Sequence, residues 1–123
     1  MPKPKILIAD DVEDIRDLIK VYLENLNIEL VGEATDGNVA LRLIDSLQPD
    51  IVFLDIQMPE ISGIEILDLI KEKNIFSVIV SGDSDFKTIK MALDKGAQGF
   101  IAKPIDEGKI AQIIEKYNAS KNG

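Results

Sequence analysis

The chain contains neither cysteine nor histidine among its 123 residues. The absence of cysteine excludes disulfides, thiolate metal sites and a cysteine nucleophile. The absence of histidine excludes a Ser-His-Asp arrangement and removes the most common general base. Any chemistry must therefore use carboxylates, lysine, hydroxyl groups, the backbone or a hard metal ion.

Long apolar runs and an excess of basic residues are also missing. The apolar runs are only a few residues long, so we expect no membrane span, and the N-terminus "MPKPKILIADD" lacks the features of a signal peptide. A cytoplasmic protein is therefore predicted. The net charge of −8 argues against nucleic acid as a direct partner, because such binding depends on neutralising phosphates. A hydrophobic content of 46% is enough for the core of one domain of this length.

Short continuous apolar runs predict strands that are buried on both faces. These runs are Lys5 to Ala9, Ile51 to Leu54, Val78 to Val80 and Phe100 to Ala102. The segment Ile28 to Ala34 is interrupted by Glu29 and Glu33, which is typical of an edge strand. Five strands are therefore expected, with the second at an edge of the sheet.

The segments between the strands have the apolar spacing of amphipathic helices, for example Phe86, Ile89, Ala92 and Leu93 in the fourth. Five alternating β-α units predict an α/β fold, a single three-layer doubly wound domain with a parallel sheet in the order 2-1-3-4-5. We expect one domain over residues 1–123, with an ordered core over about 4–118 and a frayed polar tail over 119–123.

Polar residues that can carry chemistry stand at the predicted carboxyl ends of four strands. Asp10 and Asp11 follow the first strand, Asp55 ends the third, Ser81 ends the fourth and Lys103 ends the fifth. In an open α/β sheet, ligands bind at this edge, near the point where the strand order reverses. We therefore expect these side chains to meet in one crevice.

Three crowded carboxylates repel each other unless a cation lies among them. Oxygen ligands without histidine or cysteine select a hard ion, so Mg²⁺ (or Mn²⁺) is predicted. Lys103 suits a phosphate oxygen, Ser81 can donate a hydrogen bond to another, and Gly82 leaves room for a tetrahedral group. The set indicates a phosphoryl site in which a carboxylate is a candidate nucleophile.

Each residue also has a simpler interpretation. One aspartate, Asp11, is expected to cap the first helix, which contributes about 1 kcal/mol. Asp55 could be a turn residue before Pro59, Ser81 a turn or helix-entry residue, and Lys103 a solvated surface lysine. Their joint placement at successive strand ends favours the functional interpretation.

Four segments together resemble the response-regulator receiver domain, the phospho-acceptor part of two-component signalling. They are "ADD" after the first strand, "LDIQMPEISG" around Asp55, "SG" at Ser81 and "AKP" at Lys103. The resemblance covers about Lys5 to Tyr117. Each segment alone is weak evidence for the family, but the four together, in this order and spacing, are specific to it.

The resemblance assigns a role to each position. It implies that Asp55 accepts a phosphoryl group from a phosphohistidine of a sensor histidine kinase or phosphotransfer protein. It implies that Asp10, Asp11, Asp55 and the backbone carbonyl of Gln57 bind the metal. Lys103 resembles the lysine that pairs with the carboxylate and then with the phosphoryl group.

Three further positions resemble parts of a switch. Ser81 resembles the hydroxyl residue that moves to the phosphoryl group, and Phe100 the aromatic residue that swings inward with it. The Lys103–Pro104 bond resembles one that is cis in the family, which proline permits. Serine and phenylalanine stand here where threonine and tyrosine are more usual.

The resemblance also implies an output surface formed by the fourth helix, fifth strand and fifth helix. It covers about Asp85 to Tyr117 and would bind an effector protein or domain, or a second copy in a homodimer. The protein is then a phosphoryl acceptor that promotes its own phosphorylation and dephosphorylation rather than an ordinary enzyme. Gln57 and Asp83 flank the site, where they could set the rate of water attack.

Two alternatives have different chemistry. An aspartate-nucleophile phosphatase of the haloacid dehalogenase type would also use a strand-end aspartate and Mg²⁺. It normally needs a second aspartate two residues later, where this chain has Gln57. A docking module that never uses phosphate is the other alternative, although the full set of site residues argues against it.

Overall fold

The computed structural model of the chain describes residues 3–122 and alternates strands with helices. The elements are β1 (Lys5–Ala9), α1 (Glu13–Leu23), β2 (Glu29–Ala34), α2 (Gly37–Leu47), β3 (Ile51–Asp55), α3 (Gly63–Ile70), β4 (Phe76–Ser81), α4 (Phe86–Asp94), β5 (Gly99–Ala102) and α5 (Glu107–Asn122). All strands are parallel in one sheet of order β2-β1-β3-β4-β5, which confirms the predicted α/β fold. Among the helices of residues 3–122, none is long and apolar enough to cross a membrane.

The sheet separates two apolar cores. On one face, Ile8 and Phe53 pack with side chains of α1 and α5, such as Ile19 and Ile110. On the other face, apolar side chains of β1, β3 and β4 pack with those of α2, α3 and α4. Because both faces are covered, the central strands need apolar residues at every position, which explains their continuous runs.

The predicted apolar stripe of α4 is partly wrong. Phe86 is 81% exposed and Leu93 is 51% exposed, whereas Ala92 is fully buried. At 3.6 residues per turn, Phe86 and Leu93 lie on the same side of the helix, about 120° and about 100° around it from Ala92. The helix rests on the sheet through Ala92, so both large side chains turn away from the core.

The C-terminal helix is longer than the sequence indicates. Residues 119–122, predicted as a frayed polar tail, continue α5, while Gly123 lies outside the described residues. Ser120 Oγ donates to the Tyr117 carbonyl at 2.7 Å, and Lys121 Nζ lies 5.6 Å from the centre of the Tyr117 ring. These local contacts give the polar residues partners within the helix.

Replacing Gln48 with glycine is expected to stabilise the protein by about 1 kcal/mol, because Gln48 ends α2 in the left-handed region that glycine adopts without cost. Its φ and ψ are 48° and 61°. Urea unfolding would measure the change. Glu24→Gly is the matched control, since Glu24 ends α1 at a right-handed φ of −55°. There glycine should destabilise the protein, and stabilisation by both changes would contradict the explanation.

Candidate functional site

The carboxyl ends of the strands form one open cleft of about 600 Å³. β1 lies between β2 and β3, and β4 lies between β3 and β5, so residues distant in sequence become neighbours. The lining residues are Asp11, Val12, Asp55, Gln57, Ser81, Gly82, Asp83 and Lys103. Asp10, which is only 1% exposed, lies beside this group as a salt-bridge partner of Lys103. The structure thus brings together the side chains that the sequence places at the strand ends.

Three carboxylates and one lysine dominate the charge of the site. One oxygen each from Asp10, Asp11 and Asp55 lies within 4.8 Å of the others. Lys103 Nζ is 3.3 Å from Asp10 Oδ2 and 3.6 Å from Asp55 Oδ2. With all three carboxylates ionised, one ammonium group leaves a net charge of about −2 in a partly buried place. A further cation would reduce the repulsion.

Asp10 has a buried carboxylate oxygen that accepts no hydrogen bond and fits a metal ion. Its Oδ1 accepts a hydrogen bond from the Val12 amide at 2.9 Å. Its Oδ2 lies 3.3 Å from the Lys103 ammonium, but it is the one buried side-chain polar atom without a hydrogen-bond partner in the part of the chain that the structure describes. A buried carboxylate oxygen that accepts no hydrogen bond is costly, and the ammonium of Lys103 is shared with Asp55. The three-carboxylate donor set is one that a hard divalent cation prefers, so these residues fit Mg²⁺ or Mn²⁺.

The pKa of Asp55 is raised to about 6. Burial is the largest cause, followed by the negative charge of Asp10 and, more weakly, that of Asp11. The positive charge of Lys103 and the Gln57 amide, which donates to Asp55 Oδ1 at 3.3 Å, act in the opposite direction. Above this pKa, Asp55 is an ionised carboxylate held close to a second one.

Ser81 is buried at the end of β4 with its hydroxyl oriented by the following loop. Its Oγ accepts a hydrogen bond from the Asp83 amide at 3.0 Å, and Asp83 Oδ1 accepts one from the Asp85 amide at 3.2 Å. Since the oxygen is the acceptor in this bond, the hydroxyl proton remains available for a ligand. A Cβ at Gly82 would meet no heavy atom within 4 Å, so the chain beside Ser81 is open.

The remaining predicted residues lie around this centre. Phe100 is half-buried and packs against the core on the side of α2, α3 and α4. The Lys103–Pro104 peptide bond is cis. Gln57 is exposed at the rim of the cleft.

The expectation that Asp11 caps α1 is wrong. The N-cap residue is Val12, which makes no side-chain cap bond. Instead, Asp10 Oδ1 accepts a hydrogen bond from the Val12 amide, so the side chain of Asp10, and not that of Asp11, binds the backbone at the start of α1. Asp11 is exposed and turned to the cleft, and its carboxylate is therefore free for a ligand.

Sequence reasoning missed two residues that support the site. Arg16 of α1 donates from Nη1 to the Asp10 carbonyl at 2.7 Å and from Nε to Glu33 Oε1 at 3.0 Å. In the sequence, Glu33 indicates only an edge strand, but in the structure it pairs with both Arg16 and Lys20. The available signal was the position of Arg16 in the first turns of the helix that follows Asp10 and Asp11, and its partner Glu33 could not be found without the strand pairing.

A doubly wound sheet with carboxylates, a lysine and a hydroxyl at its carboxyl edge defines a class of α/β domain that binds its ligand in the crevice at that edge. The family model described as the response regulator receiver domain matches residues 6–115, and the chain belongs to this family. It is thus a receiver domain of the two-component signalling systems, which implies a histidine kinase partner and an effector.

Individual relatives agree with this family. The chain is 36% identical to the chemotaxis protein CheY of Listeria monocytogenes, over 91% of this chain and 96% of that protein. It is 39% identical to the transcriptional regulatory protein YdfI of Bacillus subtilis, over 80% of this chain but only 47% of that protein. The chain therefore spans nearly all of one relative and about half of the other.

Solved structures show the same fold. The signal receiver domain of the putative response regulator NarL from Mycobacterium tuberculosis matches with a TM-score of 0.89 at 26% identity. That match covers all of both chains. The backbone arrangement of the site is therefore one that this family uses.

Proposed function

We propose that the chain is a phosphorylation-dependent switch in which Asp55 accepts a phosphoryl group from a phosphohistidine of a sensor kinase or phosphotransfer protein. The observation that carries this proposal is the position of Asp55 in the open cleft, beside the Lys103 ammonium and the two carboxylates of the first strand end. Lys103 would pair with Asp55 before transfer and with a phosphoryl oxygen afterwards.

In the proposed reaction, an Asp55 carboxylate oxygen attacks phosphorus in line with the leaving imidazole nitrogen. The phosphorus–oxygen bond forms as the phosphorus–nitrogen bond breaks, and the bonding pair stays with the imidazole. Asp55 must be ionised to attack, and a pKa of about 6 keeps it largely ionised above neutral pH. The chain's contribution is mostly positioning and electrostatics, as in other phosphoryl transfers.

The carboxylates of Asp10, Asp11 and Asp55, with the Gln57 backbone carbonyl, would hold Mg²⁺ or Mn²⁺. When bound, the ion supplies positive charge that offsets the charge of the phosphoryl oxygens. The buried Oδ2 of Asp10, which accepts no hydrogen bond, supports this assignment.

The aspartyl phosphate would carry a charge of about −2 where the carboxylate carried −1. Ser81 would donate its hydroxyl proton to a phosphoryl oxygen, and Phe100 would move with it. A nearly complete switch needs a preference of about 5 kcal/mol for one state. Attack of water at phosphorus would break the bond to the Asp55 oxygen and release inorganic phosphate, at a rate influenced by Gln57 and Asp83. The chain is thus proposed to be a phosphoryl acceptor that promotes its own phosphorylation and dephosphorylation.

The output is proposed to lie on the face formed by α4, β5 and α5. Phe86, Met91 and Leu93 of α4 are exposed there, with Phe86 at 81%. Large apolar side chains in water favour a protein partner, either an effector or a second copy of this chain. The net charge of −8 disfavours direct contact with nucleic acid.

Neither alternative function has support from a specific contact. In the phosphatase alternative, a general acid is needed two residues after the nucleophile, but Gln57 has no acidic group and donates its backbone amide to Asp55. The phosphate-independent docking module does not explain why three carboxylates and Lys103 gather at one cleft. Family membership also favours phosphoryl acceptance.

Incubation with acetyl phosphate and Mg²⁺ is expected to add the mass of one phosphoryl group, located on Asp55 by peptide mapping. The transfer breaks the bond between phosphorus and the acetate oxygen and releases acetate. Excess EDTA is the control and should slow the labelling strongly. Release of inorganic phosphate from a phosphate monoester over many turnovers, without stable labelling, would support the phosphatase instead.

A further inference from the structure

Arg16 connects three elements behind the acidic site. Its side chain is 11% exposed and lies between α1, the edge strand β2 and the end of β1. Nη1 donates to the carbonyl oxygen of Asp10 at 2.7 Å, and Nε donates to Glu33 Oε1 at 3.0 Å. Lys20 Nζ holds the other oxygen of Glu33 at 3.0 Å. The guanidinium is thus held by the Asp10 carbonyl through Nη1 and by Glu33 through Nε.

The Asp10 carbonyl belongs to the peptide that joins Asp10 to Asp11. The amide of Asp10 donates to the Ala34 carbonyl at 3.0 Å, and its carbonyl accepts from Arg16. Both peptide groups around Asp10 are therefore held, one by β2 and the other by α1. The orientation of the second peptide sets the direction in which Asp11 leaves the strand and hence where its carboxylate can lie.

We propose that Arg16, held by Glu33, is a positioning residue for the divalent-cation site, and this inference rests on the proposed function. Arginine suits the task because its planar fork can bind two acceptors in fixed directions. Groups that orient metal ligands without touching the metal typically change metal affinity by about 10-fold to 100-fold when removed.

Charge alone predicts the opposite result. Arg16 is a cation near a cation site, so its removal should strengthen metal binding if its charge were its main influence. If positioning dominates, removal should weaken binding although a repelling charge has gone. The direction of the change therefore separates the two explanations.

The experiment is a titration of the full chain with Mn²⁺, in which free Mn²⁺ is followed by electron paramagnetic resonance. We expect Arg16→Met to bind about tenfold more weakly than the wild type. Arg16→Lys keeps the charge but has one nitrogen in place of the fork, and we expect a smaller loss. Lys20→Met is the matched control, because it removes a cation that pairs with the same Glu33 but does not contact the Asp10 carbonyl. The affinity of this variant for Mn²⁺ should not fall. Thermal unfolding in EDTA reports on the fold of each variant.

Folded Arg16→Met protein that binds Mn²⁺ as tightly as Lys20→Met would overturn the inference while leaving the proposed function intact. If Arg16→Met does not fold, Arg16→Lys decides, and wild-type affinity in that variant overturns the inference. Asp11→Ala tests the site itself and should weaken binding in the wild-type background. Equal affinity of Asp11→Ala and wild type would overturn the metal site and the role of Arg16 together.

Discussion

Replacing Asp55 with asparagine is expected to abolish phosphoryl uptake and to stabilise the metal-free protein by about 2 kcal/mol at pH 7.5. The pKa of Asp55 is about 6 in the fold, against an ordinary value of 3.8. That difference corresponds to about 3 kcal/mol of unfavourable free energy when the carboxylate is ionised. Asparagine carries no charge and so avoids this unfavourable free energy. Because its amide remains a buried polar group, the expected gain in stability is somewhat smaller than about 3 kcal/mol.

The pH dependence has a definite sign. A carboxyl whose pKa is raised by folding favours the folded state while it is protonated. Below about pH 4 both states are protonated, and this contribution is complete; as the pH rises through about 6 it is lost. The free energy of unfolding of metal-free wild type, from urea titrations in EDTA, should therefore fall over this range. The fall due to Asp55 should be absent in Asp55→Asn.

Asp83→Asn is the matched control for this substitution. Asp83 also lines the cleft, but it is exposed, so removal of its charge should change stability by no more than about 0.5 kcal/mol. The control should still be labelled by acetyl phosphate. Equal labelling of Asp55→Asn and wild type would show that Asp55 is not the acceptor, whatever the stability measurements show.

The sequence predicts the centre of the site because a parallel sheet places the carboxyl ends of its strands at one edge. Asp10, Asp55, Ser81 and Lys103 need only a correct strand order to become neighbours. The strand order itself follows from five β-α units and an interrupted edge strand. These positions depend on no long-range side-chain pairing, so one sequence is enough to predict them.

Features that depend on the direction of side chains are harder to predict from the sequence. The pairing of Glu33 with Arg16 and Lys20 requires the register of β2 on β1 and the rotation of α1, and neither is encoded locally. The identity of the helix cap depends on whether α1 begins one residue earlier or later, and the sequence pattern does not determine this. Apolar spacing in α4 predicts burial of Phe86, but the helix offers the core only a small contact at Ala92.

Gly63→Ala is expected to cost about 3 kcal/mol of stability and to slow labelling of Asp55 by acetyl phosphate. Gly63 begins α3, and its amide donates to the Ile56 carbonyl at 3.0 Å. A Cβ there would collide with the carbonyl oxygen of Asp55 and lie 3.0 Å from its carbonyl carbon. The obstacle is backbone, which cannot rotate away as a side chain can, so the overlap must move α3 or the end of β3.

Movement of the β3 end displaces Asp55 from Lys103 and the other carboxylates, and small displacements of a reacting group slow transfer strongly. We therefore expect both the free energy of unfolding, from urea titration, and the labelling rate to fall. Gly82→Ala is the control for stability, because a Cβ at Gly82 meets nothing within 4 Å. If the two alanine variants unfolded with the same free energy, close packing of α3 against Asp55 would not be what requires glycine at position 63.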